Sequence, residues 1–504
     1  MAQQYYIVDL TTGVFPFISK DRLRTTMVNT AGYLSSSTTK PDILYAHNVM
    51  PNEYGMESVG YKSRVAAALT DTSSTYFISV RELFDEEAVK KYIGFDNSGY
   101  IYILNPTDAT PSWSAIGVSL DTTSFDIDNV TIGTVKGVSY LCYAYTAVYT
   151  LSTSNTLTSI TLASLDMSTV VGVIGSSGYL LAYTNLALAW SSTIDPTDFD
   201  PSDVTGAGGG NVADIRGDIL FATENSYGIL LYTEGNVITG TYTGNSSYPF
   251  KLTPLQNSSG GISLSLTTFK SNYANQFSYT KAGLQSITYS SADTVLPNAT
   301  DFLSGELLED YDDDTNEFNY SVVSSINKKI NLVASRYLIA SYGDPSINYY
   351  THAIVYDISL NKLGKLKYAH VDVIEYLGDQ SEVSKESIGL VGLDGSIYTV
   401  GFSNNDYAYG TIVLGKVQYS HSRMTKLLGV DVENIAEDTV TVGCFTSYDG
   451  KNNGSYIAGY MSSEYENWVM SYNFMTTGKN HSIVISGRFK LNTALIKYAT
   501  AGRR

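Results

Sequence analysis

The chain has 504 residues, with 31 Lys+Arg against 49 Asp+Glu and a net charge of −18. That balance argues against a protein that wraps nucleic acid, because non-specific affinity comes from cations neutralising phosphates. Apolar residues at 43% and aromatics at 12% exclude wholesale disorder, and two cysteines, Cys142 and Cys444, exclude a disulfide scaffold or a Cys-based zinc module.

Residues 1–10 carry neither a basic stretch nor an apolar run, so no secretory signal is expected. Residues 81–91 place carboxylates early and lysines late, which predicts a short helix. Residues 92–104 then read as a hairpin turning at 96–99. The stretch 170–190 is uncharged over a membrane-spanning length. Gly172, Gly175, Gly178 and Asn185 interrupt it, however, and it is read as three buried strands, 170–174, 179–183 and 186–190, with no stable membrane insertion.

Further on, 215–222, 227–233 and 236–242 form a meander, and 353–359 turns near 361–364 into 365–368. Residues 388–400 make a hairpin on Asp394-Gly395. Residues 406–504 return to alternating strands such as 439–445 and 482–486. The expected class is all-β. Successive meanders joined by short turns suit an irregular β-propeller, with a sandwich as the competing architecture.

Chemistry is sparse. The histidines (His47, His352, His370, His421 and His481) are scattered singly, without a His-Glu-x-x-His or Cys-His arrangement, and no Gly-x-Ser-x-Gly elbow occurs. Gly206-Ala-Gly-Gly-Gly-Asn211 lacks the lysine of a phosphate loop and reads as a flexible glycine loop. Asp310-Tyr-Asp-Asp-Asp-Thr-Asn-Glu317 opens like a calcium loop, but Thr315 stands where Gly is needed and Ser321 where a bidentate Glu should be. It reads as a solvated acidic loop. Asp195-Pro-Thr-Asp-Phe-Asp-Pro-Ser-Asp203 reads as a rigid turn. A sialidase-type site would want clustered arginines, and the ten here are spread from Arg22 to Arg504. No catalytic, metal or cofactor residue is assigned, and the chain is not expected to be an enzyme.

Three stretches carry a resemblance. The first is Gly13-Val-Phe-Pro-Phe17 followed by Ala46-His-Asn-Val-Met-Pro-Asn-Glu-Tyr-Gly-Met-Glu-Ser58. The second runs Ala189-Trp-Ser-Ser-Thr-Ile-Asp-Pro-Thr-Asp-Phe199 through Asp214-Ile-Arg-Gly-Asp-Ile219 to Tyr248-Pro-Phe250. The third is Gly478-Lys-Asn-His-Ser-Ile-Val-Ile-Ser-Gly-Arg-Phe489, with the chain closing at Ala501-Gly-Arg-Arg504. Together they resemble the nozzle or hub proteins of short-tailed bacteriophages, the group that includes tail tubular protein B.

The resemblance implies a structural virion protein of the tail, assembled in the host cytoplasm. It would be a homo-oligomer, a hexameric ring at the distal end, bound to the tail adaptor above and in reach of tail fibres and a distal plug or needle. Double-stranded DNA would pass through it without specific binding. It also implies a platform domain built from 1–65 and 406–504 around a propeller at 66–405. The acidic charge suits such a bore, since carboxylate walls do not hold phosphate. Gly206, Gly208, Gly209 and Gly210, with Asp310, Asp312, Asp313, Asp314 and Glu317, are the candidate channel or gating residues, because both loops are polar and unconstrained in sequence. A receptor-binding or glycan-binding adhesin is the alternative.

Overall fold

Short turns of fixed handedness set the strand register. In the computed structural model, which describes residues 4–9, 43–120, 124–245, 248–268, 275–376, 387–401, 409–414, 424–436, 438, 440–447, 455–466 and 468–500, two-residue turns take positive φ at both positions. Lys136 (51°) and Gly137 (84°) join Val130–Val135 to Val138–Tyr143, and Ser177 (52°) and Gly178 (85°) join Gly172–Ser176 to Tyr179–Tyr183. This geometry matches the right-handed twist of the strands it connects. His421 and the stretches 13–17 and 501–504 lie outside the described residues.

The fold is all-β. Among the described residues seven antiparallel sheets of three or more strands, I–VII, follow one another along the chain, with a two-stranded hairpin at 307–322 between the fifth and the sixth. Sheet I is Phe77–Phe84, Lys90–Asp96, Tyr100–Leu104 and Trp113–Ser119, and sheet II is Val130–Val135, Val138–Tyr143, Ala147–Leu151 and Leu157–Ile160. Sheet III is Gly172–Ser176, Tyr179–Tyr183, Ala187–Trp190 and Gly208–Asn211, and sheet IV is Ile219–Asn225, Gly228–Thr233, Val237–Tyr242 and Phe250–Pro254. Sheet V has three strands, Gln276–Thr280, Gly283–Ile287 and Ala292–Thr294. Sheet VI opens with Asn327–Val333, Tyr337–Gly343, Tyr350–Asp357 and Lys362–His370. Sheet VII is Asp372–Glu375, Ile388–Val391 and Ile397–Gly401, completed by Gly60–Val65 from the start of the chain.

Consecutive sheets share apolar cores, which is why their strands read as near-continuous hydrophobic runs. Ile93 and Ile103 of sheet I pack with Leu141 and Leu151 of sheet II, and Val135 and Val148 of sheet II with Val173 and Leu180 of sheet III. Leu181 of sheet III meets Ile229 and Leu231 of sheet IV, and Leu230 and Val237 of sheet IV meet Ile287 of sheet V. Phe277 and Tyr279 of sheet V join Ile330 and Leu338 of sheet VI. Ile339 and Val355 of sheet VI join Val373 and Leu390 of sheet VII. Val391 and Ile397 of sheet VII pack in turn with Phe77 and Tyr92 of sheet I.

The first strands of sheets II and III approach closely where two glycines face backbone. A Cβ on Gly175 would lie 2.0 Å from the Thr134 carbonyl oxygen, and one on Gly133 would lie 2.7 Å from the Ile174 carbonyl carbon. Positions 133 and 134 thus sit beside 174 and 175, so the two strands run in the same direction. The Val173 N–H bridges them to Thr131 Oγ1 at 2.9 Å.

Sheet VI does not stop at its fourth strand. Val49 pairs with Lys365, and the sheet continues through Val49–Pro51, Met56–Ser58, Lys490–Thr500, Thr425–Asn434, Val469–Gly478 and Tyr460–Glu466, with Gln4–Asp9 also paired to Lys490–Thr500. A five-stranded sheet VIII, in the order Ile43–His47, Gly410–Leu414, Asn480–Gly487, Val440–Ser447 and Tyr456–Ala458, shares a core with this extension. Ile412, Val442, Ile483 and Ile485 of sheet VIII cluster with Leu427, Val432, Phe474 and Ile496. Residues from both ends of the chain therefore extend the core shared by sheets V and VI, to which Phe302 and Leu303 of helix α1 (Pro297–Leu303) also belong.

The helix expected over 81–91 is corrected to a β-hairpin. Phe77–Phe84 is a strand, Phe84 pairs with Lys90, and the intervening turn is closed by the Asp85 carboxylate, which accepts the N–H groups of Glu87 (3.0 Å) and Val89 (2.9 Å). The early acid that suited a helix dipole instead caps a turn. Burial on both faces, with Phe77 and Val80 toward sheet VII and Leu83 toward sheet II, overrides the charge pattern. The segment 170–190 forms three strands of sheet III, Gly172–Ser176, Tyr179–Tyr183 and Ala187–Trp190. Among the described residues no helix is long and apolar enough to cross a membrane.

Four histidines are buried among the described residues, and in three of them burial shifts the affinity for a proton. His352, His370 and His481 are each driven down to about 4 by burial. His370 is held between the Tyr368 carbonyl (2.7 Å) and Ser341 Oγ (2.8 Å). Unfolded histidines take a proton near pH ~6.5 and the folded ones only near 4, so the unfolded state binds more protons in between. Stability is therefore expected to fall as pH drops from about 6.5 toward 4. Urea midpoints at pH 7, 5.5 and 4.5 should fall in that order, and His370→Gln should flatten the trend.

Candidate functional site: an anchored acidic hairpin and a cavity among first strands

The two loops singled out in the sequence have defined partners. Gly208–Asn211 is the outer strand of sheet III, with Gly208 opposite Trp190 and Gly210 opposite Leu188, while the Trp190 indole N–H donates to the Gly206 carbonyl at 3.0 Å. A Cβ on Gly208 would meet the Trp190 ring at 3.1 Å, so glycine lets the indole lie flat against the strand.

The acidic run is a hairpin of Leu307–Asp312 and Glu317–Val322. Asp310 receives Lys367 Nζ at 2.7 Å and the Tyr45 hydroxyl at 3.3 Å, with His352 Nε2 3.6 Å away. Burial alone would raise its carboxyl, but His352 and Lys367 outweigh that and hold it well below the usual carboxylate range. Asp313 contacts His47 Nε2 at 2.8 Å and accepts Thr411 Oγ1 at 2.7 Å. It too is held low, the His47 and Thr411 contacts overcoming burial. Asp312 accepts the N–H of Asp314 (2.9 Å) and of Thr315 (3.2 Å), closing the turn. Asp314 and Glu317 are exposed. Asp310 and Asp313 thus latch the hairpin to sheets VI and VIII, beside a polar groove of about 560 Å³ that includes Asn319, Asp344 and Tyr349.

A second site was not singled out in the sequence. The first strands of sheets I, II, III, IV, VI and VII line a cavity of about 380 Å³ together with Lys90, Leu264 and Thr268. Its charged members are Arg81, Glu82, Lys90, Glu224 and Glu375. Glu82 pairs with Lys90 at 3.1 Å, Glu375 accepts the Ala334 N–H at 3.1 Å, and the Arg81 guanidinium donates to the carbonyls of Val130 and Ile127. Glu224 differs. Burial pushes its carboxyl up to about 8, with only a hydrogen bond from Ser176 opposing. A neighbouring buried cluster fixes the wall: Asp372 takes Lys329 Nζ at 2.8 Å, Ser79 Oγ at 2.7 Å, the Val80 N–H at 3.0 Å and Asn331 Nδ2 at 3.2 Å. The sequence signal for Glu224 was a lone acid inside the apolar run Ile219-Leu-Phe-Ala-Thr-Glu-Asn225.

Cys444 and His481 bring a thiol and an imidazole to 3.8 Å. Both are fully buried, burial pushes the thiol up to about 12, and the imidazole is neutral, so the pair has neither the thiolate nor the access that nucleophilic chemistry requires. Among the described residues no group of three or more His, Cys, Asp or Glu side chains is placed to hold a metal ion. No protein-family model and no curated protein matches the chain.

Proposed function

We propose that sheets I–VII are the blades of an irregular β-propeller, that the sandwich formed by sheet VIII and the far half of sheet VI is a platform, and that the chain is a structural subunit of the ring at the distal end of a short phage tail. The observation that carries this reading is how the two ends of the chain build onto the core of sheets V and VI. Strands at 43–58 and at 410–500 combine there, and the body they form is joined to the sheet succession through a continuous sheet at Val49 and Lys365 and through the core it shares with sheets V and VI. The phrases at 13–17, 46–58, 189–250 and 478–504 support the same family style.

DNA, in this reading, passes between copies and not through one. A cavity of about 380 Å³ has the dimensions of a small-ligand pocket and not of a duplex channel. The net charge of −18 then serves a bore on the ring axis, where carboxylates discourage phosphate adhesion. Of the candidate gating residues, Asp314 and Glu317 are the exposed acids of the hairpin, and we assign them the bore-facing role.

Negative-stain imaging of the purified protein mixed with tail adaptor tests the proposal. A six-fold ring with a central channel is expected. A persistent monomer that binds glycan would replace this reading with the adhesin.

A further inference from the structure

The geometry points to the cavity among the first strands as a binding site for a small organic cation, an ammonium head on a short alkyl stem, with the Glu224 carboxylate as its counter-ion. This site is independent of ring assembly and of the tail reading.

The other charged groups around the cavity each have a partner, Glu375 accepting the Ala334 N–H. Lys90 answers Glu82, Lys329 answers Asp372, and Arg81 is held by main-chain carbonyls. Glu224 is half-buried and paired with no cation among the described residues; its carboxyl meets the Ser176 hydroxyl. A carboxylate removed from water without a counter-ion is costly, so the group keeps its proton until a cation arrives. The rest of the lining decides which cation. Ile174, Leu332 and Ile330 line it with apolar groups for a stem, and the hydroxyls of Thr131, Thr134 and Thr223, already bonded to the Val173 N–H, Ser139 Oγ and Gln276 Oε1, keep oxygen lone pairs for N–H groups that Glu224 does not take. A hard divalent ion would need six to eight oxygens converging, and the described carboxylates do not converge on any metal position. The volume, about 380 Å³, lies at the small end of ligand pockets.

Binding is proton-linked. With the site empty, Glu224 is protonated below about pH 8. The ammonium requires the carboxylate, so on binding the O–H bond of Glu224 breaks and its proton leaves to the buffer, while the ligand keeps its own. Affinity should therefore rise about tenfold per pH unit between pH 6 and 7.5 and level off above pH 8.

The test is calorimetric titration of the purified full chain with n-butylammonium chloride at pH 7, in two buffers of different ionisation enthalpy, with n-butanol and calcium chloride as comparison probes. Saturable butylammonium binding with release of close to one proton is expected, together with a raised Tm. Glu224→Gln, nearly isosteric, should lose the binding and its pH dependence. Butylammonium binding without proton release, equal binding of butanol, saturable calcium binding, or an unchanged response in Glu224→Gln would each overturn the assignment. If Glu224→Gln does not fold, the proton count in the unaltered protein decides alone.

Discussion

Lys329→Met is expected to lower the unfolding free energy by about 3–5 kcal/mol, the cost of leaving one member of a buried ion pair without its partner. Asp372 is only 2% exposed and gathers donors from three sheets: Ser79 and Val80 from sheet I, Lys329 and Asn331 from sheet VI, and its own backbone in sheet VII. Burial would raise its carboxyl, but Lys329, first among its partners, holds it below the ordinary carboxylate value. Its contribution is accordingly present above the unfolded carboxylate value, about pH 4, and lost as pH falls through the lower folded value. In the variant the carboxyl is no longer held down and can take a proton. The deficit should thus be largest at pH 7 and smaller at pH 4, as read from urea denaturation at the two values. The double variant Lys329→Met with Asp372→Leu should recover part of the loss, because no uncompensated charge remains. A single variant as stable as the parent at pH 7 would show that the pair does not fix the three sheets.

Gly175→Ala is the second large effect, about 3 kcal/mol of destabilisation. The added Cβ would sit 2.0 Å from the Thr134 carbonyl oxygen and 2.6 Å from its carbonyl carbon. These are main-chain atoms, so relief requires the first strands of sheets II and III to part, and Val173 would lose its bond to Thr131. Gly210→Ala is the comparison. It lies in the outer strand of sheet III, where an added Cβ meets no heavy atom within 4 Å, and it should change the urea midpoint little. Equal midpoints for the two variants would mean the close approach is not maintained in solution.

The strands were legible where two signals agreed. At 92–104, 215–242 and 388–400, β-branched or aromatic runs bracket Asn, Asp or Gly turns, and the hairpins form there, as at Asp394–Gly395, where Gly395 has φ of 82°. At 81–91 a local charge pattern stood alone, and long-range burial prevailed. The acidic run at 310–317 read as solvated because its partners Tyr45, His47, His352, Lys367 and Thr411 are remote in sequence, and no local pattern announces them. The cavity was invisible for the same reason: its acids sit one to a strand, in segments that each look like ordinary core.

Sheet VII carries a consequence for synthesis. Its fourth strand, Gly60–Val65, is made early, yet its pairing partner Ile397–Gly401 lies more than three hundred residues downstream. At about 5–20 residues per second, a ribosome takes on the order of tens of seconds to supply that partner. Through this interval the nascent chain holds an unpaired edge, the kind of segment that invites chain-to-chain pairing. Lys62 and Ser63 are exposed in the finished sheet, with Arg64 beside them. The two basic side chains give the waiting strand a like charge, so two nascent copies meeting at this edge repel until the intended neighbour emerges.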